Sequence, residues 1–354
     1  MVIQMENSIY IQGRRVGDGQ PAYIVAEMSA NHAGSIERAL EVIRAAKQAG
    51  ADCVKIQTYT PDTITIDCHN KYFNIEQGTW KGDNLYSLYQ KAYTPWEWHE
   101  QLRDEAAKVG IDFLSTPFDR TSVDFLEELG LQFYKVASFE LVDLPLLEYI
   151  ASKQKPIILS TGMGTSEEIS EAVETIYATG NQQLALLKCS SAYPAKYDEM
   201  NLRTINDMKT QYGIPVGLSD HSMGALSAVV AVAMGANIIE KHFCVSRSIE
   251  NPDSTFSMEP EEFRKMVDTI RAAEQAMGKV CYGPSSQESS NLNFRRSLFV
   301  VEDIEAGEQI TSQNIRSIRP AYGLKPKYYN EVLGKTVKRD LKRGTPLSFE
   351  DLSS

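Results

Sequence analysis

Residues 215–243 read PVGLSDHSMGALSAVVAVAMGANIIEKHF. Two short apolar runs, Pro215–Ser219 and Asn237–His242, each lead to a histidine, and the Ala- and Val-rich stretch between them has the length of one helix. A strand, a helix and a strand in that order make a crossover unit. The two strands are then parallel neighbours, and His221 and His242 emerge at the same edge. Neighbouring strands lie about 4.8 Å apart, which lets two imidazoles share one ion. Glu240 is placed by the strand period on the face of His242.

The same alternation extends in both directions. From Tyr23 to Met277, six further apolar runs (Tyr23–Ala26, Cys53–Thr58, Ile111–Thr116, Phe133–Ala137, Pro156–Ser160 and Leu184–Cys189) are separated by amphipathic stretches. One of these stretches carries Ile36, Ala39, Leu40, Ile43 and Ala46 at helical spacing, and another opens on the capping box Thr165–Glu168. Eight repeated units over this span predict an α/β fold of the (β/α)8 TIM-barrel type. One connection, residues 59–94, is too long for a plain link and reads as a lid or binding loop.

The expected division is a barrel domain over residues 1–278, a Ser-, Gly- and Gln-rich linker over 279–293, and a small C-terminal domain over 294–354.

A chain of 354 residues with 42% hydrophobic and 23% charged content has ample core-forming material. The start lacks a basic-then-apolar signal pattern, and the longest apolar stretch, Ala225–Ile239, is shorter than the roughly 18 residues a membrane span needs. A soluble cytoplasmic protein with no membrane association is expected. A net charge of −11 leaves no basic stripe for nucleic acid, so local cations must hold any anionic ligand. The five cysteines, Cys53, Cys68, Cys189, Cys244 and Cys281, are odd in number and show no CxxC spacing, so reduced thiols are expected.

Strands of a parallel barrel are buried on both faces, so a charged residue within one needs a partner or a task. The period of two points Lys55, Gln57 and Lys135 inward, and Lys188 ends the sixth strand. The bland alternative for each is a strand-end lysine that reaches solvent. Three at one barrel edge read as an anion site. Hydroxyls join them at Ser115, Thr116, Ser138, Ser160, Thr161, Ser190, Ser191 and Ser219, a polar cup suited to phosphate oxygens.

Glu27 adds a carboxylate at the same edge, Asp253 another on a nearby turn, and Arg319 lies on a loop of the tail. With no third His or Cys expected near His221 and His242, an octahedral cation of the Mn²⁺ or Mg²⁺ type suits the pair better than structural zinc.

The words that carry these residues resemble the sialic acid synthases: EMSANH at 27–32, KIQT at 55–58, STPF at 115–118, YKVAS at 134–138, LSTGM at 159–163, GLSDH at 217–221 and RP at 319–320. The match is collinear over nearly the whole chain and includes the family's C-terminal antifreeze-like (SAF) domain. Within that family, EMSANH, QTYTPDTIT at 57–65 and FRRSLFVV at 294–301 look most like the members that form pseudaminate.

The resemblance implies a transferase that condenses phosphoenolpyruvate with open-chain 2,4-diacetamido-2,4,6-trideoxy-altrose, releasing phosphate by C–O cleavage. It implies a cation on His221 and His242 to polarise the aldehyde. Lys55 would hold the carboxylate of phosphoenolpyruvate, and Lys135, Thr116, Ser138, Ser160, Ser191 and Ser219 its phosphate. Glu27 would manage protons and water, and Gln57, Tyr193, Asp253 and Arg319 would face the sugar. Arg319 is expected to act across a domain-swapped homodimer. Ser191 departs from the sialic acid members, which have Asn there.

Three rival readings are weighed. The same chemistry on another sugar gives N-acetylneuraminate or legionaminate, an aldolase would form a Schiff base on Lys188, and a sugar- or ice-binding protein is suggested by the tail alone.

Overall fold

The computed structural model describes residues 7–353. Two compact units divide it, residues 1–278 and 279–354.

A two-stranded antiparallel hairpin comes first, β1 (Ser8–Ile11) paired with β2 (Arg14–Gly17). Eight parallel strands then close into a barrel: β3 (Tyr23–Glu27), β4 (Cys53–Thr58), β5 (Asp112–Pro117), β6 (Tyr134–Val136), β7 (Ile157–Ser160), β8 (Leu184–Cys189), β9 (Val216–Asp220) and β10 (Ile238–His242). Sequential strands are neighbours all the way round, and β10 closes the ring onto β3. The eightfold αβ reading and the expected helix starts hold: Ser35 caps Ile36–Gln48, and Thr165 and Glu168 form a reciprocal capping box before Ser166–Ala178.

The alternation along the strands sorts side chains into two cores. Val54, Ile56, Tyr134, Val136, Leu184, Leu186, Val216, Leu218 and Ile239 pack outward against the helices. Tyr23, Val25, Cys53, Leu114, Phe133, Ile158, Ala185, Leu187 and Ile238 fill the interior. Ile9, Ile11 and Val16 of the hairpin belong to that interior cluster, so β1 and β2 plug the end of the barrel where the strands begin. Chemistry is thereby confined to the opposite rim, at the strand C-termini.

The parity also corrects two expectations. Lys188 has the parity of Leu184 and Leu186, so it faces the helices and not the interior, and its Nζ donates to the Cys189 carbonyl at 2.9 Å. Ser115 likewise turns outward, bonded to Thr58 Oγ1 at 2.5 Å and to the Ile56 carbonyl at 3.3 Å.

The second unit pairs β11 (Ser297–Val300) with β12 (Ile315–Ile318) and adds isolated bridges, among them Ile304–Leu341 and Val337–Leu352. Its own core is built from Leu298, Val300, Ile304, Ile310, Ile315, Val332, Val337, Leu341, Leu347 and Leu352. Among the described residues no helix is long and apolar enough to cross a membrane.

Candidate active site

At the rim, inward-facing residues of adjacent strands sit side by side. Strand register pairs His242 with Glu27, Glu27 with Lys55, and Gln57 with Thr116. Lys55 Nζ lies 3.1 Å from Glu27 Oε2 and 3.0 Å from Glu240 Oε1, all three side chains buried. Gln57 Nε2 donates to Glu27 Oε1 at 2.8 Å and to Ser29 Oγ at 2.9 Å.

Two carboxylates facing one ammonium are pushed apart in acidity. Burial raises Glu27 to about 7 against the opposing pull of Lys55, while the charges of Lys135 and Lys55 overcome burial at Glu240 and keep it below the usual range. Glu240 therefore carries the charge, and Glu27 holds or gives a proton near neutrality. Burial alone would lower Lys55, but Glu240 and Glu27 hold it raised.

Lys135 is the less encumbered cation. Its Nζ donates to Ser160 Oγ at 2.6 Å and to the Val136 carbonyl at 2.8 Å, and burial lowers it to about 8. Beside it, Ser138 Oγ accepts from the Gly162 amide at 3.0 Å. A side chain at Gly162 would put its Cβ 2.2 Å from Ser191 Oγ and 2.7 Å from Ser138 Oγ, so only glycine leaves this hollow open. Thr116 and Ser219 are buried on the same parity. These contacts bring Lys135 to Ser160 and set Ser138 and Ser191 about the Gly162 hollow, while Thr116 Oγ1 lies 3.5 Å from Lys55 Nζ and Ser219 is buried at the same rim. Thr161 is turned to the Leu187 carbonyl, and Ser190 supplies a carbonyl to His221.

The histidine rings are 5.3 Å apart at 61°. His221 Nδ1 donates to the Ser190 carbonyl at 2.9 Å, which leaves Nε2 as the nitrogen available to a cation, and against burial the neighbouring Cys189 and that carbonyl hold the ring above the usual imidazole range. His242 Nδ1 is buried with no hydrogen-bond partner, and burial together with His221 holds this ring well below the usual imidazole range. A neutral ring with an unpartnered nitrogen, next to a second ring with its tautomer fixed, fits a cation held by two imidazoles. Among the described residues no cluster of three His, Cys, Asp or Glu forms a ready-made metal cage. Against expectation a sulfur does lie close: Cys189 Sγ is 3.8 Å from His221 Nδ1, because β8 points Cys189 inward.

An aromatic wall rises from the histidines. Tyr193 lies 4.2 Å from the His221 ring and 5.3 Å from Phe256, and Phe256 lies 5.0 Å from His242. The long 59–94 connection reaches over to this wall: Trp80 packs 5.5 Å from Tyr193 and donates through Nε1 to the Pro252 carbonyl at 3.0 Å, and Thr79 donates to the Tyr193 carbonyl. Asp253 is buried next to it and accepts from the Ala30 amide at 3.1 Å. Arg319 is exposed in the second unit, on the bend after β12.

Several members of the site escaped the sequence reading. Glu140, pushed up to about 7 by burial and with Oε2 unpartnered, follows Ser138 in the segment after β6. Gly162, Cys189 and Trp80 are the others. The strand parity already pointed Cys189 inward, whereas Glu140, Gly162 and Trp80 lie on irregular backbone where no period applies.

Residues 42–282 match the NeuB family and residues 295–353 match the SAF domain. The chain belongs to the NeuB family. This NeuB-family chain is 46% identical to a pseudaminic acid synthase of Campylobacter jejuni over 93% of its own length and 96% of the relative's. It is 44% identical to a pseudaminic acid synthase of Helicobacter pylori, over 94% and 98%. Among solved structures, the N-acetylneuraminic acid synthetase of Leptospira borgpetersenii superposes with a TM-score of 0.73 at 31% identity, covering 82% of this chain and 97% of that one.

Proposed function

We propose that this chain joins phosphoenolpyruvate to 2,4-diacetamido-2,4,6-trideoxy-altrose to give pseudaminate and phosphate. The observation that carries the reading is identity of 44–46% to two pseudaminic acid synthases, over nearly the whole of each chain.

The rim supports it by being divided. Lys135, Ser138, Ser160, Ser191, Ser219 and Thr116 form the anion half, and Lys55 takes the substrate carboxylate. His221 and His242 are the residues that would hold a divalent cation such as Mn²⁺ or Mg²⁺, which when bound polarises an aldehyde oxygen. Gln57, Tyr193, Asp253 and, from the second unit, Arg319 orient the sugar.

Carbon 3 of phosphoenolpyruvate then attacks the aldehyde carbon and water adds at carbon 2. Phosphate leaves with its bridging oxygen, so the C–O bond breaks. Glu27 is placed to take the proton of that water. The position of Lys188 outside the barrel interior speaks against an imine mechanism. Enzymes of this kind act on soluble substrates, and we place the chain in the cytoplasm as a homodimer in which Arg319 serves the partner subunit's barrel.

The test is phosphate release by the purified protein with phosphoenolpyruvate, Mn²⁺ and each candidate sugar. The 2,4-diacetamido-trideoxy-altrose should give the highest kcat/KM. Preference for N-acetylmannosamine or for the legionaminate precursor would assign the chain to that activity instead.

A further inference from the structure

Beside the two histidines, on the other face of the sheet, lies an ion pair that the condensation does not use. Asp220 precedes His221 and Lys241 precedes His242, and strand register sets Lys241 directly opposite Asp220. Their side chains are 0–1% exposed, and Lys241 Nζ approaches Asp220 Oδ2 to 2.7 Å. Both share the parity of the helix-facing Leu218 and Ile239.

The ammonium does more than meet its counter-ion. It also donates to the Ser222 carbonyl at 2.6 Å, so one group next to His242 grips the residues on both sides of His221. Asp220 Oδ1 in turn accepts from the Ser222 amide at 2.9 Å and the Ser222 hydroxyl at 2.6 Å, and that hydroxyl reaches Ser227 of the helix Leu226–Ala233 at 2.9 Å.

The pair sits where the backbone stops holding the strands together. The β9–β10 ladder ends at Lys241 and Asp220, and His221 lies one residue beyond it. The carbonyl of His221 is taken by the Ala195 amide at 2.9 Å, on the side away from β10. A buried ion pair is a poor source of stability, because desolvation offsets its attraction and apolar side chains of similar volume fill such a place as well. Its well-attested use is to fix registry.

We infer that Asp220 and Lys241 are positioning residues that set the spacing of the His221 and His242 imidazoles, on which a cation site with only two protein ligands depends. This rests on the cation site proposed above.

Mn²⁺ binding to the full-length protein, followed by electron paramagnetic resonance, separates the possibilities. The variants are Asp220→Asn, which keeps the shape and the acceptor for the Ser222 amide, and the double variant D220L/K241M, which replaces both charges with apolar groups. His221→Ala is the control.

D220L/K241M should melt close to the wild type in chelator, Asp220→Asn should melt lower because it leaves the buried Lys241 ammonium uncompensated, and both should bind Mn²⁺ about tenfold or more weakly, the usual loss when a ligand's support is removed. The KM for phosphoenolpyruvate at saturating Mn²⁺ should stay within about twofold, a split that general loosening of the barrel would not give. If D220L/K241M fails to fold, Asp220→Asn decides alone. Wild-type Mn²⁺ affinity in a folded Asp220→Asn variant overturns the positioning role and leaves the cation site standing. If the wild type shows no Mn²⁺ binding that His221→Ala removes, the site itself falls and the inference falls with it.

Discussion

Lys135 shows how a residue's place in the barrel becomes a measurable property. It must be charged to hold an anion, and burial has brought it down to about 8. The charged fraction therefore falls as pH rises through that value, and kcat/KM for phosphoenolpyruvate should decline on the alkaline side. A pH profile of kcat/KM checks this, and Lys135→Met should abolish that limb while weakening use of phosphoenolpyruvate by about 10–100-fold, the loss expected for a hydrogen bond to a charged group. Gly162 carries a second prediction. Gly162→Ala sets a methyl between Ser138 and Ser191. The KM for phosphoenolpyruvate should rise by about tenfold or more with the sugar KM little changed, measured by initial rates with each substrate varied. Sequence periodicity disclosed Lys55, Lys135 and His242 because they lie inside strands, and His221 because it directly follows one. Applied to Lys188 it would also have turned that residue outward, since Leu184, Leu186 and Lys188 share a face.

Among the elements, the strands were legible and the connections were not. Alternation is a local property, and the buried parallel strands repeat it for three to six residues. The 59–94 connection could be recognised only by its length, because the contacts of Trp80 with Tyr193 and Pro252 join residues more than a hundred positions apart. The β1–β2 hairpin went unread for a related reason. Its apolar side chains find their partners only in the closed barrel. Trp80 packs on Tyr193, on the side proposed for the sugar. Trp80→Ala should raise the sugar KM about tenfold, an aromatic contact's worth, and leave the phosphoenolpyruvate KM unchanged, as steady-state kinetics will show.

On the scale of the whole molecule, two units with separate cores share one proposed activity, since Arg319 belongs to the second and every other assigned residue to the first. A complementation assay tests the arrangement. His221→Ala and Arg319→Ala variants, each inactive or weak alone, should on mixing and subunit exchange recover about a quarter of wild-type activity if Arg319 acts in trans within a symmetric dimer. No recovery after demonstrated exchange would place Arg319 in its own subunit's site.

The hairpin plug has a kinetic consequence. With that end of the barrel filled by Ile9, Ile11 and Val16, traffic into and out of the site shares one opening. The anion half lies within the strands, and the aromatic wall stands above it on the loops. Phosphoenolpyruvate must then be loaded first, and a sugar that arrives early becomes an obstruction. Initial-rate data should show sugar inhibition at high concentration that phosphoenolpyruvate relieves, with phosphate, the deeper product, departing last.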